Sequence, residues 1–233
     1  ICWSLVGSEM CIRDREIRNR ISSVTSTMKI TSAIKMVSAA KLKKAQDAIT
    51  AMKPYSEKLN ELMSSFTNVI SSSNISYLAA QRPIKKVLIV AIASNRGFCG
   101  AFNSNIVKQS KSLKSLEKFS NAEFYFIVIG KKANDVLSKT ENIVQNKSEI
   151  FDELSYENSS PIIDQIIQDF ADEKYDHVEI IYNSFKNAAN QIIKSEQLLP
   201  IVNDSESEVL QNYIFEPSME QIVSAVSYTH LRA

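Results

Sequence analysis

The chain has 233 residues, of which 44% are hydrophobic and 23% are charged, and its formal net charge is +1. That length suits one large domain or two small ones with a buried core, and the composition excludes wholesale disorder. The near-neutral charge argues against a protein built mainly to bind nucleic acid. The longest apolar run, Val87 to Ala93, has seven residues, whereas a membrane span needs about 18.

Charged residues are unevenly distributed along the chain. Residues 15–59 carry a net charge of +7, and residues 140–220 carry a net charge of −13. The near-neutral total therefore hides a basic first part and an acidic last part. Glycine is scarce, with four residues in all and none between Ser8 and Arg96. So long a stretch with so few breakers is either helical or unfolded.

The first part of the chain repeats an apolar residue every three or four positions. This narrow stripe predicts a coiled-coil helix over residues 15–75, kinked at Pro54. So long a helix does not bury its stripe alone, and it needs a partner helix. A generic scaffold coiled coil fits the pattern by itself equally well. The two clearest runs are Ile17, Ile21, Val24 and Met28, and then Ala45, Ala48, Met52, Tyr55, Leu59, Leu62, Phe66 and Val69.

The centre of the predicted helix has small side chains, and a basic segment follows it. Residues 31–40 are mostly small, with three larger apolar side chains, and three lysines follow within the next turn. Such a surface suits a helix that slides within a tight, partly acidic sleeve, but the pattern taken alone favours an ordinary helix with a solvated lysine face. The residues predicted to contact a partner here are Ile34, Met36, Val37, Lys41, Lys43 and Lys44.

An α/β domain is predicted over residues 84–224. The alternation of apolar, β-rich segments with helical ones predicts a mostly parallel, Rossmann-like sheet with helices packed against it. The acidic stretch between residues 140 and 160 gives no clear signal. The predicted strands are 86–93, 123–129, 177–182 and 191–200, and the predicted helices are 104–119, 135–139 and 161–171.

The loop after the first predicted strand, residues 94–103, contains Gly97 and Gly100. Glycines between a strand and a helix are typical of phosphate-binding turns. However, the loop matches neither G-x-x-x-x-G-K-[ST] nor G-x-G-x-x-G. We therefore expect a tight strand-to-helix turn with a buried Cys99, rather than a nucleotide site or a catalytic site.

Cysteine and histidine offer no catalytic constellation. The three cysteines, Cys2, Cys11 and Cys99, have neither metal-ligand spacing nor a plausible disulfide framework. The two histidines, His177 and His230, cannot build a triad or a metal site by themselves. We therefore expect no catalytic residue, cofactor or metal in this chain.

Seven segments together resemble one family. From about residue 15 to residue 224, and in the correct order, they resemble the gamma subunit of F-type ATP synthase. Ile34 departs from that family, which usually has methionine at this position. The segments are 17–24 (IRNRISSV), 27–34 (TMKITSAI), 36–42 (MVSAAKL), 94–103 (SNRGFCGAFN), 182–185 (YNSF), 197–200 (QLLP) and 213–218 (YIFEPS).

The resemblance implies a mechanical function. The coiled coil would be an axle inside a ring of alternating alpha and beta subunits, and the α/β domain a foot seated with the epsilon subunit on the c-ring of Fo. Proton flow would turn the c-ring and the axle together, and the axle would drive the catalytic beta subunits through their nucleotide states. Arg96, Gly97 and Gly100 would add to the partner interface.

The resemblance also implies where the protein acts. ATP chemistry would occur on beta, and this chain would be a peripheral membrane protein held by the complex. It would lie on the cytoplasmic face of a bacterial inner membrane, or on the matrix or stromal face of an organelle. Two rival interpretations are a stand-alone coiled-coil adaptor and a small nucleotide-binding enzyme that uses the loop 94–103.

The ends of the sequence differ from the family. Members continue past the segment 213–218 into a second long helix, which returns antiparallel along the first, so we expect a truncated reading frame. Residues 1–14 and 225–233 are expected to be translated vector or adaptor sequence.

Overall fold

The computed structural model describes residues 2–70, 78, 80–187, 190–201, 216, 221–222, 225–226 and 229. The chain divides into two compact units, residues 1–57 and 58–233. The first unit is helical, and the second contains the sheet.

The long N-terminal helix is confirmed. Helix α1 spans Cys2–Ile70 and is continuous through Pro54. It begins before the predicted start at Arg15, and residues 71–75 of the prediction lie outside the described residues. The apolar stripe is exposed, with Ile17 at 57% and Met28 at 64% of their full accessible surface. No helix among the described residues combines the length and the apolar character that crossing a membrane requires.

The second unit is built on a five-stranded sheet in the order β3-β2-β1-β4-β5. Strands β1 to β4 are parallel, and β5 is antiparallel to β4. The prediction of a mostly parallel sheet is therefore confirmed. The strands are β1 Lys86–Ile92, β2 Glu123–Ile129, β3 Ile143–Asn146, β4 His177–Phe185 and β5 Gln191–Leu199.

Helices cover both faces of the sheet. Helix α2 spans Phe102–Leu113, α3 spans Lys131–Leu137 and α4 spans Tyr156–Ala171. Short 3-10 helices lie at Glu117–Phe119 and Ser148–Phe151. The two faces are separate because successive side chains of a strand point to opposite sides.

Strand β1 shows how the two cores form. Its alternate residues Leu88 and Val90 join a core cluster with the apolar side of α4, including Ile166 and Phe170. The apolar side chains on the opposite face of β1 join a second cluster with α2 and α3. Because both faces are covered, β1 is apolar from its second residue onward rather than alternating. Burial of each large side chain contributes about 1.5–3 kcal/mol.

Several elements differ from the sequence prediction. Helix α2 ends at Leu113 rather than at residue 119, and β4 extends three residues beyond its predicted end at residue 182. Strand β3 was not predicted, because its four residues lie at the edge of the sheet and are at most half-buried. Helix α4 begins at Tyr156 rather than at Pro161, since Ser155 Oγ accepts a hydrogen bond from Asn158 N and caps the helix. Helix α3 begins four residues earlier than predicted, directly after Gly130.

Candidate functional site

The loop of residues 94–103 lies at the carboxyl end of β1, between β1 and α2. The chain passes from β1 to β2 and β3 on one side, and β4 pairs with β1 on the other side. This is the topological switch point, where open α/β sheets bind ligands. The loop is therefore the first place to look for a site.

Asn103 closes the loop on itself. Its Oδ1 accepts a hydrogen bond of 3.0 Å from Ser94 N, and its Nδ2 lies 3.3 Å from the carbonyl oxygen of Arg96. The same Nδ2 donates to Cys99 Sγ at 3.2 Å. Ser94 Oγ donates to the carbonyl oxygen of Arg96 at 2.7 Å. The Asn103 side chain therefore occupies the N–H of Ser94, a main-chain donor of the kind that a phosphate-binding turn directs toward its anion.

Neighbouring elements hold the loop from outside. Asn95 Oδ1 accepts a hydrogen bond of 2.9 Å from Lys131 N, and Asn95 Nδ2 donates to the carbonyl oxygen of Ser148 at 2.9 Å. From β4, Asn183 Nδ2 donates to the carbonyl oxygen of Phe102 at 3.2 Å. The segments after β1, β2 and β3 are thereby joined to each other, and the loop is fixed before any partner binds.

Gly130 allows the close approach between β2 and the start of the loop. Its φ is +128°, and a Cβ at this position would lie 2.5 Å from the carbonyl oxygen of Ala93. A real Cβ does not come that close, so only glycine fits here. The spacing that brings Asn95 within reach of Lys131 depends on this contact.

The loop presents an exposed aromatic side chain. Phe98 has a φ of +59°, which is uncommon for a bulky residue, and its side chain is fully exposed. Arg96, two positions earlier in the loop, is exposed, and Lys132 Cε lies 3.9 Å from the position of a Cβ on Gly97. Cys99 is also exposed, so the expectation of a buried cysteine is wrong. An aromatic anchor with nearby cations suits a protein partner better than a small molecule.

The candidate residues of α1 are also exposed. Ile34, Met36 and Val37 are 60%, 68% and 58% exposed. The three lysines that follow are exposed and have no ion pair in the described part of the chain. Thr27 and Thr31 donate their hydroxyls to carbonyl oxygens one turn back, at 3.0 and 2.8 Å, which keeps their side chains close to the helix. These residues lie in the first unit, and the loop lies in the second.

A buried polar cluster around β4 is not among the residues predicted from the sequence. His177 Nε2 lies 3.2 Å from Glu179 Oε2, and Ser195 Oγ donates to Glu179 Oε1 at 2.6 Å. Lys118 Nζ lies 3.8 Å from the same carboxylate. The spacing His-x-Glu places both side chains on one face of a strand, and this was the signal available in the sequence.

The electrostatics of the cluster are those of a structural group. Burial alone would raise the pKa of Glu179, but hydrogen bonds from His177 and Ser195 and the charge of Lys118 lower it below its ordinary value. Ser195 donates to the carboxylate and not to His177, and a carboxylate with a lowered pKa is too weak a base to activate a serine as a nucleophile. No group of three or more potential metal ligands lies among the described residues.

Comparison with known proteins identifies the family. The ATP synthase family model matches residues 13–233. The ATP synthase gamma chain of Christiangramia forsetii is 52% identical over 211 residues, which cover 90% of this chain and 73% of that protein. The chain belongs to the ATP synthase gamma-chain family. Gamma chains of Cytophaga hutchinsonii and Geobacter metallireducens are 42% and 34% identical over 219 residues, covering 90% and 93% of this chain and 74% and 76% of theirs.

A solved structure described as the central stalk and c-ring of Tetrahymena thermophila mitochondrial ATP synthase is also similar. Its TM-score is 0.45 at 21% identity, and the match covers 79% of this chain and 88% of that chain. A long helix followed by a mostly parallel α/β unit is the architecture of this member of the gamma-chain family.

Proposed function

We propose that this gamma chain is the central-stalk rotor subunit of F1Fo ATP synthase, which couples proton-driven rotation of the c-ring to conformational changes at the catalytic beta subunits. The observation that carries the proposal is the 52% identity to a gamma chain over 211 residues. ATP synthesis and hydrolysis take place on beta, and this chain contributes no catalytic group of its own.

The long helix suits the transmission of torque. One charge that crosses a membrane supplies about 2.3 kcal/mol per 100 mV, so the work of several protons must be pooled mechanically. A stiff element does this better than a flexible one. Helix α1 runs for 69 residues without interruption and contains a single glycine, Gly7.

The exposed stripe of α1 supports a partner helix in the complex. Ile17, Ile21, Val24 and Met28 are all at least 57% exposed and lie on one side of the helix. Packing a second helix along this side would bury them in the manner of a coiled coil. The assembled axle is then a pair of helices, with the small residues 31–40 at its narrowest part.

The partner surfaces divide between the two units. Lys41, Lys43 and Lys44 attract acidic loops of beta by charge, and Ile34, Met36 and Val37 provide the apolar bearing surface within the ring of alpha and beta subunits. In the second unit, Arg96, Gly97 and Gly100 form the loop that carries Phe98 toward a neighbouring subunit. The α/β unit is the foot, which binds the epsilon subunit and the c-ring.

The complex determines the location of the chain. As a foot on the c-ring, the chain is a peripheral membrane protein. Its place is the cytoplasmic face of a bacterial inner membrane, or the equivalent matrix or stromal face of an organelle. A gamma chain in this position needs no membrane-spanning helix of its own.

Co-purification with the catalytic ring tests the proposal. The chain is co-expressed with the alpha and beta subunits of an organism whose gamma chain is a relative of this one. The beta subunit is tagged, and the purified protein is separated by size. We expect the chain to elute with the ring and the ring to hydrolyse ATP faster than alpha and beta alone. Elution of the chain by itself, or tight ATP binding to the isolated chain by calorimetry, would contradict the proposal.

A further inference from the structure

The segment after β3 exposes several large apolar side chains. Within six consecutive positions, Phe151 is 39% exposed, Leu154 is 73% exposed and Tyr156 is 56% exposed. A single exposed apolar residue needs no explanation, but several together mark an interaction surface. Residues 149–157 form this surface, the acidic-apolar loop.

Hydrogen bonds fix this loop at both ends. Before it, Lys147 N donates to the carbonyl oxygen of Val128 at 2.9 Å, and the carbonyl oxygen of Ser148 accepts from Asn95. After it, Asn158 Nδ2 donates to the carbonyl oxygen of Glu153 at 2.9 Å. The exposed side chains are therefore held in place, and a partner that binds them loses little entropy in ordering the loop.

The charge of the loop is acidic. Glu149, Asp152, Glu153 and Glu157 are exposed, and none of them has an ion pair within the ranges that the structure describes. Four unpaired carboxylates repel anionic lipid headgroups and nucleic acids. The charge complementarity therefore favours a protein surface rich in lysine or arginine.

We propose that the acidic-apolar loop docks into an aliphatic groove, rimmed by lysine or arginine, on another subunit of the ATP synthase complex. The inference rests on the proposed function, because the partner is sought within that complex. Leu154 is the apolar anchor, and Glu149 and Glu153 contribute the rim charges. The loop 94–103, which contains Phe98 and Arg96, lies at the same edge of the sheet, where the parallel strands end. Two neighbouring docking surfaces of opposite charge fix the orientation of the foot, because a rotated partner would meet like charges.

Photo-cross-linking within the assembled complex tests the proposal. A benzophenone amino acid replaces Leu154 in the full chain, the complex is purified through tagged beta, and cross-linked peptides are identified by mass spectrometry. The matched control is Leu116, which is 42% exposed. It precedes β2 and so lies at the opposite edge of the sheet, where the parallel strands begin. We expect Leu154 to cross-link to a peptide of another subunit that contains at least two basic residues, and we expect Leu116 not to cross-link to that peptide.

Charge reversal tests the electrostatic part in the same complex. Glu149→Lys together with Glu153→Lys is expected to lower the Leu154 cross-link yield by about fivefold or more, whereas Glu117→Lys at the opposite edge leaves the yield unchanged. A cross-link from position 154 to an acidic peptide, to lipid or to a second copy of this chain overturns the inference. The absence of any cross-link in a complex that contains the chain also overturns it. Absence of the chain from the complex overturns the proposed function as well.

Discussion

Asn95 and Ser148 are joined by a hydrogen bond of 2.9 Å, from Asn95 Nδ2 to the carbonyl oxygen of Ser148, across 53 positions of the chain. Asn95 Oδ1 accepts from Lys131 N at the same time. One side chain therefore connects the segments that follow β1, β2 and β3. It connects the segments at the carboxyl ends of the parallel strands, where the loop 94–103 and the acidic-apolar loop both lie.

Removal of the Asn95 amide is expected to destabilise the fold. Asn95→Ala loses two hydrogen bonds to main-chain groups, at a cost of about 1–2 kcal/mol in the free energy of unfolding. Urea unfolding followed by circular dichroism measures this. Asn105→Ala in α2 is the matched control, since Asn105 is half-buried like Asn95 and its side chain makes no hydrogen bond in the described part of the chain. Equal stability of the two variants would show that the Asn95 bonds contribute nothing.

The three glycines of the second unit predict a graded series of stabilities. Gly130→Ala is expected to cost about 3 kcal/mol or more, because a methyl group there overlaps the Ala93 carbonyl. Gly100 has a φ of +59° with open space around it, so Gly100→Ala should cost about 1 kcal/mol. Gly97→Ala meets only ordinary contacts and should stay within about 0.5 kcal/mol of the wild type. Thermal unfolding of the three variants gives the order, and any other order contradicts the geometry.

Glu179 is expected to make stability depend on pH. Its pKa in the folded chain lies below the ordinary value of 4.5, because His177, Ser195 and Lys118 stabilise the carboxylate against the effect of burial. The unfolded chain therefore takes up the proton first as the pH falls. The stability that the charge contributes is present above pH 4.5 and is lost as the pH falls through the lowered pKa of the folded chain.

The variant Glu179→Gln isolates this effect. The difference in free energy of unfolding between the wild type and Glu179→Gln should be constant above about pH 6 and should shrink below the ordinary pKa of glutamate. Glu117→Gln, at an exposed residue, should give a difference near zero throughout. A difference that grows as the pH falls below that ordinary pKa would reverse the sign and refute the assignment.

Phe98 is expected to act in binding and not in folding. Asparagine tolerates a positive φ better than phenylalanine, so Phe98→Asn should unfold no more easily than the wild type. Its affinity for the epsilon subunit and the c-ring, which the foot is proposed to bind, should fall about tenfold, equivalent to about 1.4 kcal/mol. Titration of c-rings that carry tagged epsilon with each variant measures this. Leu116→Asn removes a similarly apolar exposed side chain and serves as the control, and an unchanged affinity for Phe98→Asn would exclude the loop as an anchor.

The lysines of α1 are expected to act through charge. Reversal of Lys41, Lys43 and Lys44 to glutamate should reduce the coupling of ATP hydrolysis to proton pumping in the assembled complex. Each exposed pair is worth about 0.2–1 kcal/mol, so the combined change should be several-fold at low salt and smaller at high salt. The neutral glutamine triple variant should lie between the two, and reversal of Lys139 should have no effect. Coupling that is unchanged by the reversal would refute the electrostatic role.

The sequence predicts strongly periodic and strongly apolar elements well. Strand β2 has its predicted bounds, and β1 ends one residue earlier than predicted, because continuous apolar runs between helices are typical of buried parallel strands. Strand β3 gives no such signal. Its pairing with β2 comes from tertiary contacts at the edge of the sheet, where two of its four residues are exposed.

The candidate site is only partly predictable. Gly97 and Gly100 mark the loop 94–103 in the sequence, but its hydrogen bonds depend on Lys131 and Ser148, which are distant in the chain. The exposure of Cys99 follows from the same arrangement, since Asn103 turns toward the loop and the thiol stays outside the core.

The buried cluster of β4 is only partly visible in the sequence, for the same reason. The pairing of His177 with Glu179 needs the third partner, Ser195, which only the antiparallel β5 brings opposite. Neighbouring positions of a strand are visible in a sequence, whereas the side chain that a second strand places beside them is not.

The boundary between the two compact units falls inside α1 and not at its end. Residues from Lys58 onward belong to the α/β unit, where Leu59 is 7% exposed and Leu62 packs against the core that contains Leu78. A protease that trims the exposed helix should therefore stop before residue 58. A fragment cut at the first strand would instead leave an apolar surface uncovered, and it would be prone to aggregate.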